Sequence, residues 1–513
     1  MESGTGADEL GAAYERSLAR ERRKVDGVFY TPPGLARDVV EATLGGLAGE
    51  RVAGVRVVDP ACGGGALLVA AYRWLLARHA ERGGRLDEAG RRGLLVRSIF
   101  GVDIDAAAVA VTRAALAEVA GAGVDLAANV RVGDALREEE RGAFEVVLAN
   151  PPYLSAETMA RHHGELRAYC QARYAAAAGN WDLYCVFIER CVELCAPGGR
   201  CGLIVPNKLL SADYARGARG LLVRAAAVRS IQVLDGEELF AADVYPVAVV
   251  AERGAVQGEV VVVRAAATER LAAAAFTEPA RPWVLCAGAA ARVVERMRAI
   301  GRPLGELAAI RGAATVAEAY AIAGLIREGD AGLRVVNSGT IDAYEHAWGR
   351  KRLRYLGATY SRPVIPEEAA DALPAKRLAD ARTPKVIVAG LTRTLEAVLD
   401  REGTLLAAKS TTIVTATALD LRVIVALLNS SVVRWYYRQV FRGDRLAGGY
   451  LRIGPPQLRQ LPVVVPADPR LYGLVEAMCA RPGAGLAAAI DAVVAAAYGL
   501  EAEDVAAVAD DAA

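Results

Sequence analysis

The sequence predicts an α/β protein: a mostly parallel sheet covered by helices on both faces, followed by a second module of different texture. Three observations carry this. Between about residues 28 and 253, continuous apolar runs alternate with helical stretches, as strands buried on both faces require. Turns rich in Gly, Asp and Pro follow several of those runs. From about residue 297 the runs shorten, turns multiply and Arg becomes frequent.

Taken in order, residues 1 to about 25 predict a charged amphipathic helix with Leu10, Tyr14 and Leu18 on one stripe. In VFYTPPGLARDVVEATL (28–44), Thr31 is placed as a helix N-cap with Pro32 at the first helical position. Strand VRVVDPA (55–61) feeds helix GALLVAAYRWLLARHA (65–80), and strand SIFGVDI (98–104) feeds helix AAAVAVTRAALAEVA (106–120). Residues 83–93, rich in Gly and charge, read as a surface insertion. Strands are expected within ANVRVGDAL (128–136) and FEVVLANPPY (144–153). Helix LYCVFIERCVELC (183–195) precedes strand GRCGLIVPN (199–207), and IQVLDG (231–236) and VYPVAVVAE (244–252) are late strands. Residues 255–296 read as a connector holding one strand, EVVVVRAA (259–266). Residues 297–466 form the second module, and 467–513 an acidic helical tail.

Lys plus Arg number 61 and Asp plus Glu 60, which excludes a generally basic protein but not a basic patch. Residues 300–462 hold 23 basic and 15 acidic residues, whereas 466–513 hold 2 and 8, so a basic module precedes the acidic tail. An excess of that sign suggests a polyanion partner. Cys185, Cys191, Cys195 and Cys201 read as small core hydrophobes rather than a metal cluster, and no metal is expected. The N-terminus lacks a signal-peptide pattern and no long uncharged apolar run occurs, so a soluble cytoplasmic protein with no membrane partner is expected.

Five motifs carry chemistry. DPACGGG (59–65) follows a strand and opens a helix; glycines there let backbone approach a ligand. It lacks the Gly-Lys-Ser/Thr ending of a nucleotide-triphosphate loop. In GVDID (101–105), Asp103 can accept from two ribose hydroxyls, and Asp105 is a helix cap. GDAL (133–136) ends another strand, so Asp59, Asp103 and Asp134 should line one crevice outside the strand ends. In ANPPYL (149–154), two prolines stiffen the backbone. The Asn150 side chain and the Pro151 carbonyl can accept both hydrogens of a planar NH₂ group, turning its lone pair toward a methyl donor, with Tyr153 stacked on the ring. The fifth is YTPP (30–33), where Tyr30 and Thr31 would sit near a ligand.

In this order YTPP, DPACGGG, GVDID, GDAL and ANPPY resemble the S-adenosylmethionine-dependent N6-adenine DNA methyltransferases of gamma motif order. The resemblance implies the class I methyltransferase fold, a doubly wound, mostly parallel seven-stranded sheet, and a C-terminal α+β target-recognition domain. It implies S-adenosylmethionine as cofactor, double-stranded DNA as partner, and transfer to a flipped-out adenine. Tyr30, Thr31, Asp59, Pro60, Ala61, Gly63, Gly65, Asp103, Ile104, Asp134, Ala135 and Asn150 would hold the cofactor. Asn150, Pro151, Pro152 and Tyr153 would hold the target base. The family usually has Ser where Gly64 stands and Phe where Leu67 stands. In ELFAADVYPVAVV (238–250), either Phe240 or Tyr245 is implied as a second contact to the base.

The C-terminal half, through TPKVIVAG (383–390), AAKSTTIV (407–414), VIVALLNSSVVRWYYR (423–438) and YLRIGPPQLRQLPVVVP (450–466), resembles the specificity domain of TaqI-type and type IIG enzymes. It implies Lys351, Arg352, Arg354, Lys409, Arg442 and Arg445 near phosphates or bases. Trp435, Tyr436 and Tyr437 are expected in the core. Three alternatives stay open: a protein glutamine methyltransferase using the same site, an RNA base methyltransferase, and a non-catalytic DNA-binding subunit. No nuclease is expected within the chain; a restriction endonuclease or defence-system subunit on a separate chain is an expected partner class.

Overall fold

The computed structural model describes residues 6–17, 27, 30–47, 54–82, 84, 86–121, 123–234, 245–265, 267–279, 281–444 and 446–510. They form two compact units, Met1–Leu285 and Cys286–Ala513.

The first unit is built on one sheet. Its strands are β1 (Val57–Asp59), β2 (Ile99–Asp103), β3 (Val130–Val132), β4 (Phe144–Ala149), β5 (Cys195–Pro206), β6 (Ala226–Val233), β7 (Pro246–Arg253), β8 (Val260–Val263) and β9 (Thr268–Leu271). Their order is β3-β2-β1-β4-β5-β7-β6-β8-β9. β3, β2, β1, β4 and β5 run parallel, and β7 is antiparallel to both its neighbours. The first seven strands of this order form the expected mostly parallel seven-stranded sheet, and two more extend it at one edge: β8 adds parallel to β6 and β9 antiparallel to β8. The stretch read as a connector supplies both, because Val260 and Val262 face the core while Val261 and Val263 do not. The order in which strands are added reverses between β1 and β4, the place where a doubly wound sheet opens a crevice at its strand ends.

Helices cover the sheet as the apolar spacing requires. Pro33–Leu44 buries Leu35, Ala36, Val39, Val40 and Leu44 and packs on Ala66–Glu81 and β5. Leu183–Leu194 is buried on nearly every face, packed among β4, β5 and helix Arg216–Ala225. That accounts for its Cys and branched residues: Cys185, Cys191, Cys195 and Cys201 are buried thiols, with Cys201 Sγ donating to the Cys191 carbonyl at 3.4 Å. Among the described residues no group of three or more His, Cys, Asp or Glu could hold a metal ion. Nor, among those residues, is any helix long and apolar enough to cross a membrane. The supposed surface insertion holds the start of helix Glu88–Ser98, capped by Asp87, whose side chain accepts from Gly90 N–H at 2.8 Å. Its charge-rich first turns hid it from an apolar-periodicity reading.

The second unit contains two small four-stranded sheets. One is antiparallel, Ala308–Gly312, Thr411–Ala416, Lys385–Ala389 and Ala397–Asp400 in spatial order. The other is mixed, Arg327–Glu328, Pro363–Ile365, Leu333–Val336 and Leu405–Ala407. Helices Leu421–Asn429 and Ser431–Val440 bury Trp435, Tyr436 and Tyr437. The acidic tail folds as Arg470–Ala480, Ala484–Ala497 and Ala502–Asp510, which pack on those two helices.

Candidate active site

The site grows from the C-terminal ends of β1 to β4. Asp59 closes β1, and the chain then turns through residues 60–65 into helix Ala66–Glu81. Gly63 (φ 49°) and Gly65 (φ 86°) take left-handed backbone, which permits so tight a reversal. Gly65 N–H donates to the Cys62 carbonyl at 2.8 Å and closes the turn. A Cβ on Gly65 would stand 2.9 Å from the Thr112 side chain.

The neighbouring strand shapes this turn. Asp103, last in β2, accepts from Gly63 N–H through Oδ2 and from Asp105 N–H through Oδ1, each at 2.9 Å. Thr112 Oγ1 donates to the Gly63 carbonyl at 2.7 Å. Asp105 caps helix Ala106–Ala120, as expected, accepting from Ala107 N–H at 2.8 Å. Asp59 accepts from Ala61 N–H at 3.0 Å. Burial pushes the Asp59 carboxyl up to about 8, and the nearby Asp103 charge adds to that. Burial also raises Asp103, against the backbone hydrogen bonds it accepts. Beyond β3, Asp134 accepts from Leu136 N–H at 3.1 Å and from Arg137 Nε at 3.0 Å.

β4 delivers Asn150. Its Nδ2 donates to Thr31 Oγ1 at 3.0 Å. The Tyr153 hydroxyl lies 3.0 Å from Asn150 Oδ1 and 3.1 Å from the Ile204 carbonyl, and its one hydrogen serves one or the other. Burial holds that phenol far above its usual range. Thr31 is therefore not the helix cap expected of it. The helix starts one residue later, at Pro33, with Pro32 in the cap position and no side-chain cap; the Thr31 hydroxyl is buried against Asn150 instead.

Thr31, Asp59, Pro60, Ala61, Gly63, Asp103, Ile104, Asp134, Ala135, Asn150 and Pro152 line a single cavity of about 340 Å³. Four expected residues do not line it. Gly65 packs on Thr112, Pro151 is buried, Tyr30 is half-buried, and the Tyr153 hydroxyl sits between Asn150 Oδ1 and the Ile204 carbonyl. Leu67, singled out where the family usually has Phe, lines the cavity too, and two walls were missed by motif reading: Tyr14 from the N-terminal helix and Phe187 from helix Leu183–Leu194. Tyr14 stood on a stripe read only as amphipathic, and Phe187 belongs to no local pattern. Tyr245 is half-buried just before β7; its carbonyl accepts from Asn207 N–H at 2.8 Å, at the end of the sheet that carries Asn150. Phe240 lies outside the described residues.

In the second unit, Arg352 and Arg354 are exposed on and beside the hairpin Leu353–Tyr355/Ala358–Tyr360. Lys351 is exposed but paired with Asp342 at 2.9 Å. Lys409 and Arg442 are half-buried, and Arg445 lies outside the described residues.

Three family sequence models match the chain. They are the MmeI DNA-methyltransferase domain over residues 41–136, the Eco57I restriction-modification methylase over 124–240, and the TaqI-like C-terminal specificity domain over 354–463. Curated relatives agree in kind. The type I restriction enzyme MjaIX methylase subunit of Methanocaldococcus jannaschii is 27% identical over 219 residues, 41% of this chain and 35% of the relative. The type II methyltransferase M.TthHB8I of Thermus thermophilus is 30% identical over 204 residues, 39% of each. The adenine-specific methyltransferase PglX of Streptomyces coelicolor is 24% identical over 266 residues, 41% of this chain and 22% of that one. The chain spans well under half the length of these relatives. Among solved structures, the type IIL restriction-modification enzyme MmeI in complex with DNA aligns with 98% of this chain and 80% of its own, at a TM-score of 0.64 and 14% identity. The fold is shared with that enzyme, and the sequence is similar to restriction-modification DNA methyltransferases followed by a specificity domain.

Proposed function

We propose that the chain transfers a methyl group from S-adenosylmethionine to the N6 amine of an adenine in DNA, in a restriction-modification or phage-defence setting. One observation carries the reading: an amide acceptor, Asn150, shares a cavity with three carboxylates from three neighbouring strands. About 340 Å³ falls in the range of small-molecule sites. The bend at Gly63, Asp103 and Asp134 suit a nucleoside end, and the buried carboxyl of Asp59 suits an amino-acid end. Bound there, S-adenosylmethionine supplies a methyl group already activated by its sulfonium.

The chain's own residues position the acceptor. Thr31 takes a hydrogen from Asn150 Nδ2, which fixes the amide so that Oδ1 is the atom offered elsewhere. Oδ1 is an acceptor and lies 3.0 Å from the Tyr153 hydroxyl. On this reading it takes a hydrogen of an exocyclic amine when the base enters and draws the amine lone pair out of ring conjugation. Such catalysis is chiefly orientation and preorganised electrostatics. An adenine must leave the helix stack to reach the amide, at a cost on the order of a few kcal/mol. The basic excess of residues 300–462 supports DNA as the substrate over a peptide amide.

The test is incubation with methyl-labelled S-adenosylmethionine and DNA, followed by nucleoside analysis. Labelled N6-methyladenine is the expected product. Label confined to protein would overturn the assignment in favour of glutamine methylation. Asn150→Ala is expected to keep cofactor affinity within about threefold while turnover falls by at least about a hundredfold, as for loss of a preorganised polar contact.

A further inference from the structure

The cavity owes one wall to a helix that precedes every motif. Tyr14, on helix Gly6–Ser17, lines it beside Ala66, Asp105 and Ala108. The Tyr14 hydroxyl donates to Asp105 Oδ2 at 2.9 Å, two residues past Asp103. Asp105 is itself fixed, since its other oxygen caps helix Ala106–Ala120.

The placement is built. Helix Gly6–Ser17 runs along Ala106–Ala120 and touches Ala66–Glu81. Arg73 reaches both carboxylate oxygens of Asp8, at 2.8 and 2.9 Å, and Ala7 is buried. Most telling is the contact with the glycine turn. A Cβ on Gly11 would lie 2.8 Å from the Gly64 carbonyl oxygen, and one on Gly64 would lie 2.9 Å from the Gly11 Cα. Backbone meets backbone there, so the helix position is set by the same turn that places Gly63 on the cavity floor.

We propose that helix Gly6–Ser17 is an integral wall of the cofactor site and that Tyr14 contacts the bound nucleoside on the side of Asp103. This rests on reading the cavity as the S-adenosylmethionine site. The phenol ring excludes water from the carboxylate edge, and in the drier surroundings hydrogen bonds from ligand hydroxyls to Asp103 are stronger. The hydroxyl, held by Asp105, stops the ring from swinging away.

The experiment measures S-adenosylhomocysteine affinity of the full chain by calorimetry, for wild type, Tyr14→Phe, Tyr14→Ala and Gly11→Ala. Tyr14→Ala is expected to weaken binding at least tenfold and Tyr14→Phe two- to fivefold. Gly11→Ala removes no cavity side chain yet is expected to weaken binding at least tenfold, by pushing the helix off Gly64. Wild type that binds while Tyr14→Ala and Gly11→Ala bind within twofold of it overturns the proposal and leaves the cavity assignment standing. Wild type that binds no S-adenosylhomocysteine overturns both. Should a variant fold poorly, hydrogen exchange on wild type decides: amides of residues 10–17 slow on ligand addition, or the proposal fails.

Discussion

Thr31 shows how a residue's chemistry can be legible while its partner is not. A Thr before Pro-Pro has the local signature of a helix cap, yet its hydroxyl serves Asn150, 119 positions away. Local rules carry no information about such a partner. Thr31→Val is expected to lower methyl-transfer turnover at least tenfold while Thr31→Ser stays within about threefold, since only the latter keeps the hydroxyl that orients the amide; single-turnover kinetics checks this. Asp59 makes a second residue-scale prediction. Its folded-state value is raised to about 8, so between roughly pH 4 and 8 the unfolded chain is ionised there and the folded chain is protonated. The stability it contributes is full below pH 4 and is lost as pH climbs through 8. Asp59→Asn keeps an acceptor for Ala61 N–H without the titration. Its stability relative to wild type is therefore expected to rise from pH 5 to pH 8, by at least about 1 kcal/mol in denaturant titrations.

At the scale of elements, strongly apolar strands and helices were readable to within a few residues. Helix Ala106–Ala120 matches its expected bounds, and β1 through β5 appear where apolar runs predicted them. What escaped was polar or short. Helix Glu88–Ser98 buries only Leu95 and Ser98 below its charged surface, and β9 alternates Thr, Glu, Arg and Leu on a sheet edge. One hairpin invites a measurement. The two-residue turn Leu356–Gly357 has φ of 45° and 90°, the primed geometry that usually takes Asn-Gly. A leucine in the left-handed region is disfavoured by roughly 1–2 kcal/mol, and this one is 41% exposed. Leu356→Asn is expected to raise the melting midpoint of the chain by about 2–4 °C, read by calorimetry.

Over the whole molecule, the near-zero net charge conceals a basic stretch followed by an acidic tail, and both fold into the second unit. The cavity carboxylates could be read from sequence because each lies at or just past the end of an apolar strand. The candidate contact residues of the second unit could not, because exposure and pairing decide them: Lys351 pairs with Asp342, while the neighbouring Arg352 is exposed. If the unit contacts DNA phosphates, substituting Arg352 and Arg354 together with Ala should flatten the salt dependence of binding by about one to two in logarithmic slope, measured by titration at several ionic strengths. The contact of Gly11 with Gly64 has a longer reach. Serine, common at position 64 in the family that the motifs resemble, finds no space under this helix. A side chain at either glycine would force the helix and the glycine-rich turn apart, so whatever holds the helix in place also sets the bend that neighbours the cavity mouth.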